Sequence, residues 1–211
     1  MSSTKLVCCR NAVEADIDCV ARLHLAAFDG FFLSQLGFRF LCVMYRAFLK
    51  SPSSLFVVFE TSSGQLAGFA VGALQGQNDR RIAIRYLPQF ILSVIPAILE
   101  NPSLVVKRLW ARFFDFSKSP PVPYGAAILR SIGVLPSVRG AGVAHSLLHA
   151  FEILAHSKGA GHVFLTTDEI NNERAKRFYK RGGYILVCRF MQDRGRVMCL
   201  MSKDLKGSVL E

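Results

Sequence analysis

The stretch PSVRGAGVAHSLLHAF, residues 136–151, restricts the fold more than any other part of this chain. Gly140, Gly142 and Ala144 alternate behind Arg139, and an apolar run with helical spacing follows them. Such a loop exposes backbone N–H groups at a helix N-terminus, where unpaired donors and the helix dipole both favour an anion. Two familiar phosphate loops are excluded by what is missing. No lysine follows the glycines, as G-x-x-x-x-G-K-[ST] requires. His145 stands where G-x-G-x-x-G needs a small third residue for close helix–strand packing. Taken alone, the pattern fits a phosphate-binding turn or an ordinary tight loop before a helix.

The rest of the chain reads as strands alternating with helices. Residues 5–12 and 55–60 and 65–74 form strands, the last two joined at TSSG as an antiparallel hairpin. Apolar residues at Ile17, Val20, Ala21, Leu25 and Phe28 give 13–28 a helical period, and 38–50 is a second helix ending at SPSS. Strands follow at 124–134 and 162–168, then a short helix at 172–181 closed by Gly182 and Gly183. YILVCRF and RVMCLMSKDL read as a final antiparallel pair.

Residues 76–123 differ. They carry Pro88, Pro96, Pro102, Pro120 and Pro121, and two amphipathic stretches, 85–99 and 103–116, read as helices. The prolines predict short, separately oriented pieces. This segment holds seven basic residues (Arg80, Arg81, Arg85, Lys107, Arg108, Arg112, Lys118) against three acids. It suits a lid over an anionic acceptor, a membrane-surface patch, or a packed insertion or homodimer contact, and the sequence leaves that choice open.

Bulk properties bound the rest. A length of 211 residues suits one domain over 1–211 with a proper core. Half the residues are hydrophobic, yet the most apolar run, FILSVIPAIL, is ten residues long where a span needs ~20. The N-terminus lacks the basic start and apolar block of a signal peptide, so a cytoplasmic location is expected. Six cysteines form no C-x-x-C pair, so buried reduced thiols are expected and a metal site is not. A net charge of +11 favours an anionic partner, while the absence of an arginine-rich tail argues against nucleic acid.

A second motif lies 30 residues beyond the loop, in NNERAKRFYKRGGY. Ala175, Phe178 and Tyr179 share one helical face there. Together the two motifs resemble the GCN5-related N-acetyltransferase (GNAT) family. The family's loop [Q/R]-x-x-G-x-[G/A] is matched by Arg139, Gly142 and Ala144, and its N-x-x-A-x-x-F-Y-x-x-x-G-[FY] by Asn172, Ala175, Phe178, Tyr179, Gly183 and Tyr184. The close resemblance covers about 124–190.

The resemblance implies an α/β fold: a mixed, mostly antiparallel central sheet flanked by helices, with a helical insertion between the third and fourth strands. It implies acetyl-CoA as co-substrate, lying in a V-shaped opening between the strands at 126–134 and 162–168. Backbone groups of Ile132, Gly133 and Val134 would bond its pantetheine arm. The amides of Arg139, Gly140, Ala141, Gly142, Val143 and Ala144 would hold the pyrophosphate. Asn172 would contact the arm, and Tyr179 would be the general acid beside the thioester sulfur. The implied reaction is acetyl transfer to a primary amine by direct attack. The acceptor would be an anionic amine: a nucleotide-linked amino sugar, a protein amine or a small amine. For the base, Glu60, Asp168, Glu169 and His24 are the residues at hand, and none is assigned. The competing reading is a non-catalytic CoA-binding or membrane-associated module that keeps the fold.

Overall fold

A computed structural model describes residues 6–76, 80–100, 120–192 and 195–206. In chain order the strands are β1 (Leu6–Asn11), β2 (Ser54–Thr61), β3 (Leu66–Leu74), β4 (Ala127–Val134), β5 (His162–Asp168), β6 (Ile185–Gln192) and β7 (Arg196–Asp204). The helices are α1 (Ile17–Ala27), α2 (Phe32–Gln35), α3 (Gly37–Lys50), α4 (Arg80–Glu100), α5 (Val143–Ser157) and α6 (Glu173–Arg181). The strands form one sheet in the order β1-β2-β3-β4-β5-β7-β6. Every neighbouring pair is antiparallel except β4 and β5, which run parallel with α5 as their crossover. This is the mixed, mostly antiparallel sheet flanked by helices that the sequence predicts.

Alternation on β2 explains why the sheet has helices on both faces. Leu55, Val57 and Phe59 join the core under α5, with Leu147, Leu148 and Phe151. Phe56 and Val58 point the other way, into a second core with Ile17 and Val20 of α1 and Phe40, Leu41 and Tyr45 of α3. A strand buried on both faces reads as the unbroken apolar run LFVVF. The hairpin between β2 and β3 closes by Thr61 N–H donating to the Gln65 carbonyl at 2.9 Å.

Two glycines on one face of β3 let α5 come close. A Cβ at Gly68 would stand 2.7 Å from Leu147 Cδ1, and one at Gly72 would stand 2.1 Å from the Ile128 carbonyl and 2.7 Å from the Phe151 ring. Gly68 and Gly72 are four apart on the strand, and Leu147 and Phe151 are four apart on the helix, so helix knobs enter the gaps that the missing side chains leave.

The segment after β3 corrects the sequence expectation. The helix expected at 85–99 is present but longer: residues 80–100 form one helix of 21 residues, and Pro88 and Pro96 lie inside it without breaking it into short pieces. Each proline removes one helical hydrogen bond. Packing on α3 offsets that loss: Phe90 meets Phe40 at 5.7 Å between ring centroids, and Val94 and Ala97 are buried. The second stretch, 103–116, lies outside the described residues. The short helix α2 has no counterpart in the sequence reading. Among the described residues no helix is long and apolar enough to cross a membrane.

Candidate functional site

The parallel pair is where the sheet opens. Ala127, Ile128 and Leu129 are in register with Val163, Phe164 and Leu165, and there the β4–β5 ladder ends. Beyond it, Ile132, Gly133 and Val134 keep their partners on β3, while Thr166, Thr167 and Asp168 keep theirs on β7. The two strands diverge toward their C-terminal ends, leaving the β5-facing backbone edge of 132–134 outside the ladder. A bulge helps to turn β4 away. Leu129 faces Gly72 and Ser131 faces Val71, so Arg130 is the extra residue of the strand. No feature of the sequence marks that bulge.

Gly133 is fixed by its surroundings. A Cβ there would stand 3.0 Å from both Phe28 and Phe69, so the end of α1 packs directly over the backbone. Ile132 and Val134 are partly buried against the core under α5.

After β4 a 3-10 turn at Pro136–Val138 leads into the glycine loop. Gly140 and Gly142 have φ of +90° and +82°, a left-handed conformation that L side chains rarely adopt. No heavy atom lies within 4 Å of where a Cβ would stand at either glycine. Gly142 is the N-cap of α5, and its carbonyl accepts from the amides of His145 and Ser146. Among the described residues the amides of Gly140, Gly142, Val143 and Ala144 have no backbone partner. The loop therefore presents free donors at the positive end of a helix of 15 residues, beside open space. Arg139, Gly140, Ala141 and Gly142 are exposed, whereas the Val143 side chain is buried in the core. Val143 can take part only through its backbone.

α6 is brought against this loop by its aromatic residues. Phe178 meets His145 of α5 edge-on at 4.8 Å. His145, the residue that breaks the dinucleotide fingerprint, thus ties the two motifs together. Tyr179 packs against Phe178 and Tyr184, with ring centroids 5.0 and 5.8 Å away. Burial pushes the Tyr179 phenol up to about 12, so its proton is held more tightly than usual. Asn172 donates from Nδ2 to Thr167 Oγ1 at 2.6 Å and to the Asp168 carbonyl at 3.4 Å, which anchors the start of α6 to the open end of β5. Of the basic residues on α6, Lys176 is engaged by Glu173 and Glu169, while Arg174, Arg177, Lys180 and Arg181 are exposed.

The four residues weighed as a base all have other partners. Glu60 accepts from Arg10 Nε at 2.6 Å. Asp168 is ion-paired with Arg196. Glu169 accepts from Cys199 and Arg189, and these bonds, that from Cys199 first, pull its carboxyl down to about 2. His24 is buried, with Nδ1 2.5 Å from the Tyr45 hydroxyl, and belongs to the core. Among the described residues no group of His, Cys, Asp and Glu is placed to hold a metal ion.

Comparison with known proteins finds the same fold. The model of the acetyltransferase (GNAT) family matches residues 99–184. No curated protein matches the chain. Among solved structures, one described as an acetyltransferase is similar at 21% identity and a TM-score of 0.65, covering 95% of this chain and 100% of its own. Naa20 of Chaetomium thermophilum, solved with a bisubstrate analogue, is similar at 21% identity and a TM-score of 0.58, covering 94% and 86%. An aminoglycoside 6'-acetyltransferase type Ii is similar at 14% identity and a TM-score of 0.60, covering 94% and 97%. At these identities the likeness is one of fold.

Proposed function

We propose that this chain is a member of the GNAT acetyltransferase family, whose model matches residues 99–184, and that it transfers an acetyl group from acetyl-CoA to a primary amine by direct attack. The observation that carries the reading is one juxtaposition. A loop with free amides at the start of α5 follows the strand that splays from its parallel neighbour, and α6, which carries Tyr179, packs on that start through Phe178 and His145.

When bound, acetyl-CoA supplies the thioester whose acetyl passes to nitrogen with release of the CoA thiol. The residues present fit such a ligand. The amides of Gly140, Gly142, Val143 and Ala144 would hold the pyrophosphate, since Gly140 and Gly142 leave the space above the loop open, while those of Arg139 and Ala141 already donate to the Pro136 and Val138 carbonyls. The free edge of Ile132, Gly133 and Val134 would pair with the amide-bearing arm, as an added strand would. Asn172, fixed through its Nδ2, leaves its side-chain carbonyl to accept from the same arm. Tyr179 would donate its proton to the departing sulfur as the C–S bond breaks and the N–C bond forms. The amine must arrive neutral, and its proton leaves to water or to a base that none of the four paired residues supplies.

The net charge of +11 supports an anionic acceptor. Similar folds include proteins named for an aminoglycoside and for alanine of ribosomal protein S18, which keeps both amino sugars and protein amines in view. Purified protein should release thiol from acetyl-CoA with at least one member of an amine panel that includes amino-sugar nucleotides and peptide N-termini. Binding of acetyl-CoA without release from any amine would instead favour a non-catalytic CoA-binding module.

A further inference from the structure

The helix α4 has two apolar faces, and α3 covers one. Phe90, Val94 and Ala97 point into the core. On the opposite side Ile84, Leu87, Ile91, Leu92, Ile95 and Leu99 form a stripe along most of the helix, with Leu99 79%, Leu92 66% and Ile84 64% exposed. Six large aliphatics at this exposure amount to roughly 600 Å², the upper end for the largest apolar patch of an ordinary monomer. A helix apolar all round needs a second partner.

Two features decide what kind. First, Arg81 and Arg85 are exposed at the N-terminal end of the stripe, and the one acidic residue in the sequence of the helix is Glu100, at its far end. With a net charge of +11 on the chain, the cover is anionic. Second, Pro88 and Pro96 both lie on the exposed side. Having no N–H, they leave the carbonyls of Ile84 and Leu92 without helical donors. A dry contact with a second copy of the chain would bury those carbonyls. The headgroup layer of a bilayer takes apolar side chains while keeping water at the backbone.

We infer that α4 is a membrane-docking helix that seats its outward stripe in an anionic lipid surface, with Arg81 and Arg85 against the headgroups. The test is co-sedimentation of the full chain with phosphatidylcholine vesicles, with and without phosphatidylserine. The wild type should pellet with the anionic vesicles, and salt should reduce binding. Ile91→Glu with Leu92→Glu should weaken partitioning by roughly tenfold or more. Arg81→Glu with Arg85→Glu should weaken it by at least roughly thirtyfold, since each surface cation contributes about 1 kcal/mol and the two glutamates add repulsion. All four residues are exposed, so unchanged melting temperatures will show that the variants fold. No binding to anionic vesicles, or equal binding by the variants, overturns the inference. So does a wild-type dimer in light scattering that Ile91→Glu makes monomeric, without vesicle binding, since the stripe would then belong to a second copy.

Discussion

Replacing Tyr179 by phenylalanine removes one oxygen and tests the proposed proton donor. The ring contacts with Phe178 and Tyr184 stay, and among the described residues the hydroxyl makes no hydrogen bond. Folding stability should therefore move by no more than ~1 kcal/mol. The chemistry should respond strongly, because a positioned general acid is worth ~10²–10⁴-fold. Acidity sets a second expectation. With the phenol at about 12, roughly one molecule in ten thousand is ionised at pH 8, against about one in a hundred for an unperturbed tyrosine. The wild-type rate should rise as the acceptor amine deprotonates and show no falling limb up to about pH 10. The assay is thiol release across pH 6–10 with an accepted amine, alongside calorimetric titration of acetyl-CoA. Tyr179→Phe should lower kcat at least ~10²-fold with acetyl-CoA affinity within about twofold. Wild-type turnover in the variant would refute the argument, as would a falling wild-type limb near pH 8.

Gly142→Ala forces a side chain into φ of +82°, a strain of about 1–2 kcal/mol. Titration should show acetyl-CoA affinity falling about tenfold or more as the loop amides turn, and unchanged affinity would separate the loop from the ligand. Lys203→Met leaves the buried carboxylate of Glu152 without the ammonium 2.7 Å away, and urea denaturation should show a loss of about 3–5 kcal/mol. Adding Glu152→Gln should restore much of it. Glu169, lowered from 4.5 to about 2 by its bonds from Cys199 and Arg189, contributes stability that is present above pH 4.5 and lost as pH falls toward 2. Melting temperatures of Glu169→Gln should fall less steeply than those of the wild type through that window.

The parts of the fold legible in the sequence are those fixed by local rules. LFVVFE and HVFLTTD emerge as strands because β-branched and aromatic residues cluster in short runs, and α5 and α6 because apolar spacing begins or ends at glycines. The tight glycine loop before α5 is legible for the same reason: its positive φ values need glycine. The helical character of 85–99 is legible, but the full extent and continuity of α4 are not, because Pro88 and Pro96 are local breakers whereas the contacts with Phe40 that hold the helix are distant in sequence. The same limit hid the bulge at Arg130, a property of register between two strands. It also hid the state of the acids. Asp168, Glu169 and Glu60 look alike in a sequence, and their arginine partners come from 50 or fewer positions away by folding alone.

The three-residue ladder between β4 and β5 has a mechanical consequence. Four strands with α1, α3 and α4 make one block, and β5, β7 and β6 make another; the seam between them is stitched for only part of its length. α5 bridges it, touching β2 and β3 on one side and leading into β5 on the other. A molecule wedged in the open part works as a strut, completing hydrogen bonds that the sheet leaves unmade on both margins. Amides along 131–134 and 166–168 should then exchange with solvent more slowly when the strut is present, and the two blocks should melt as one.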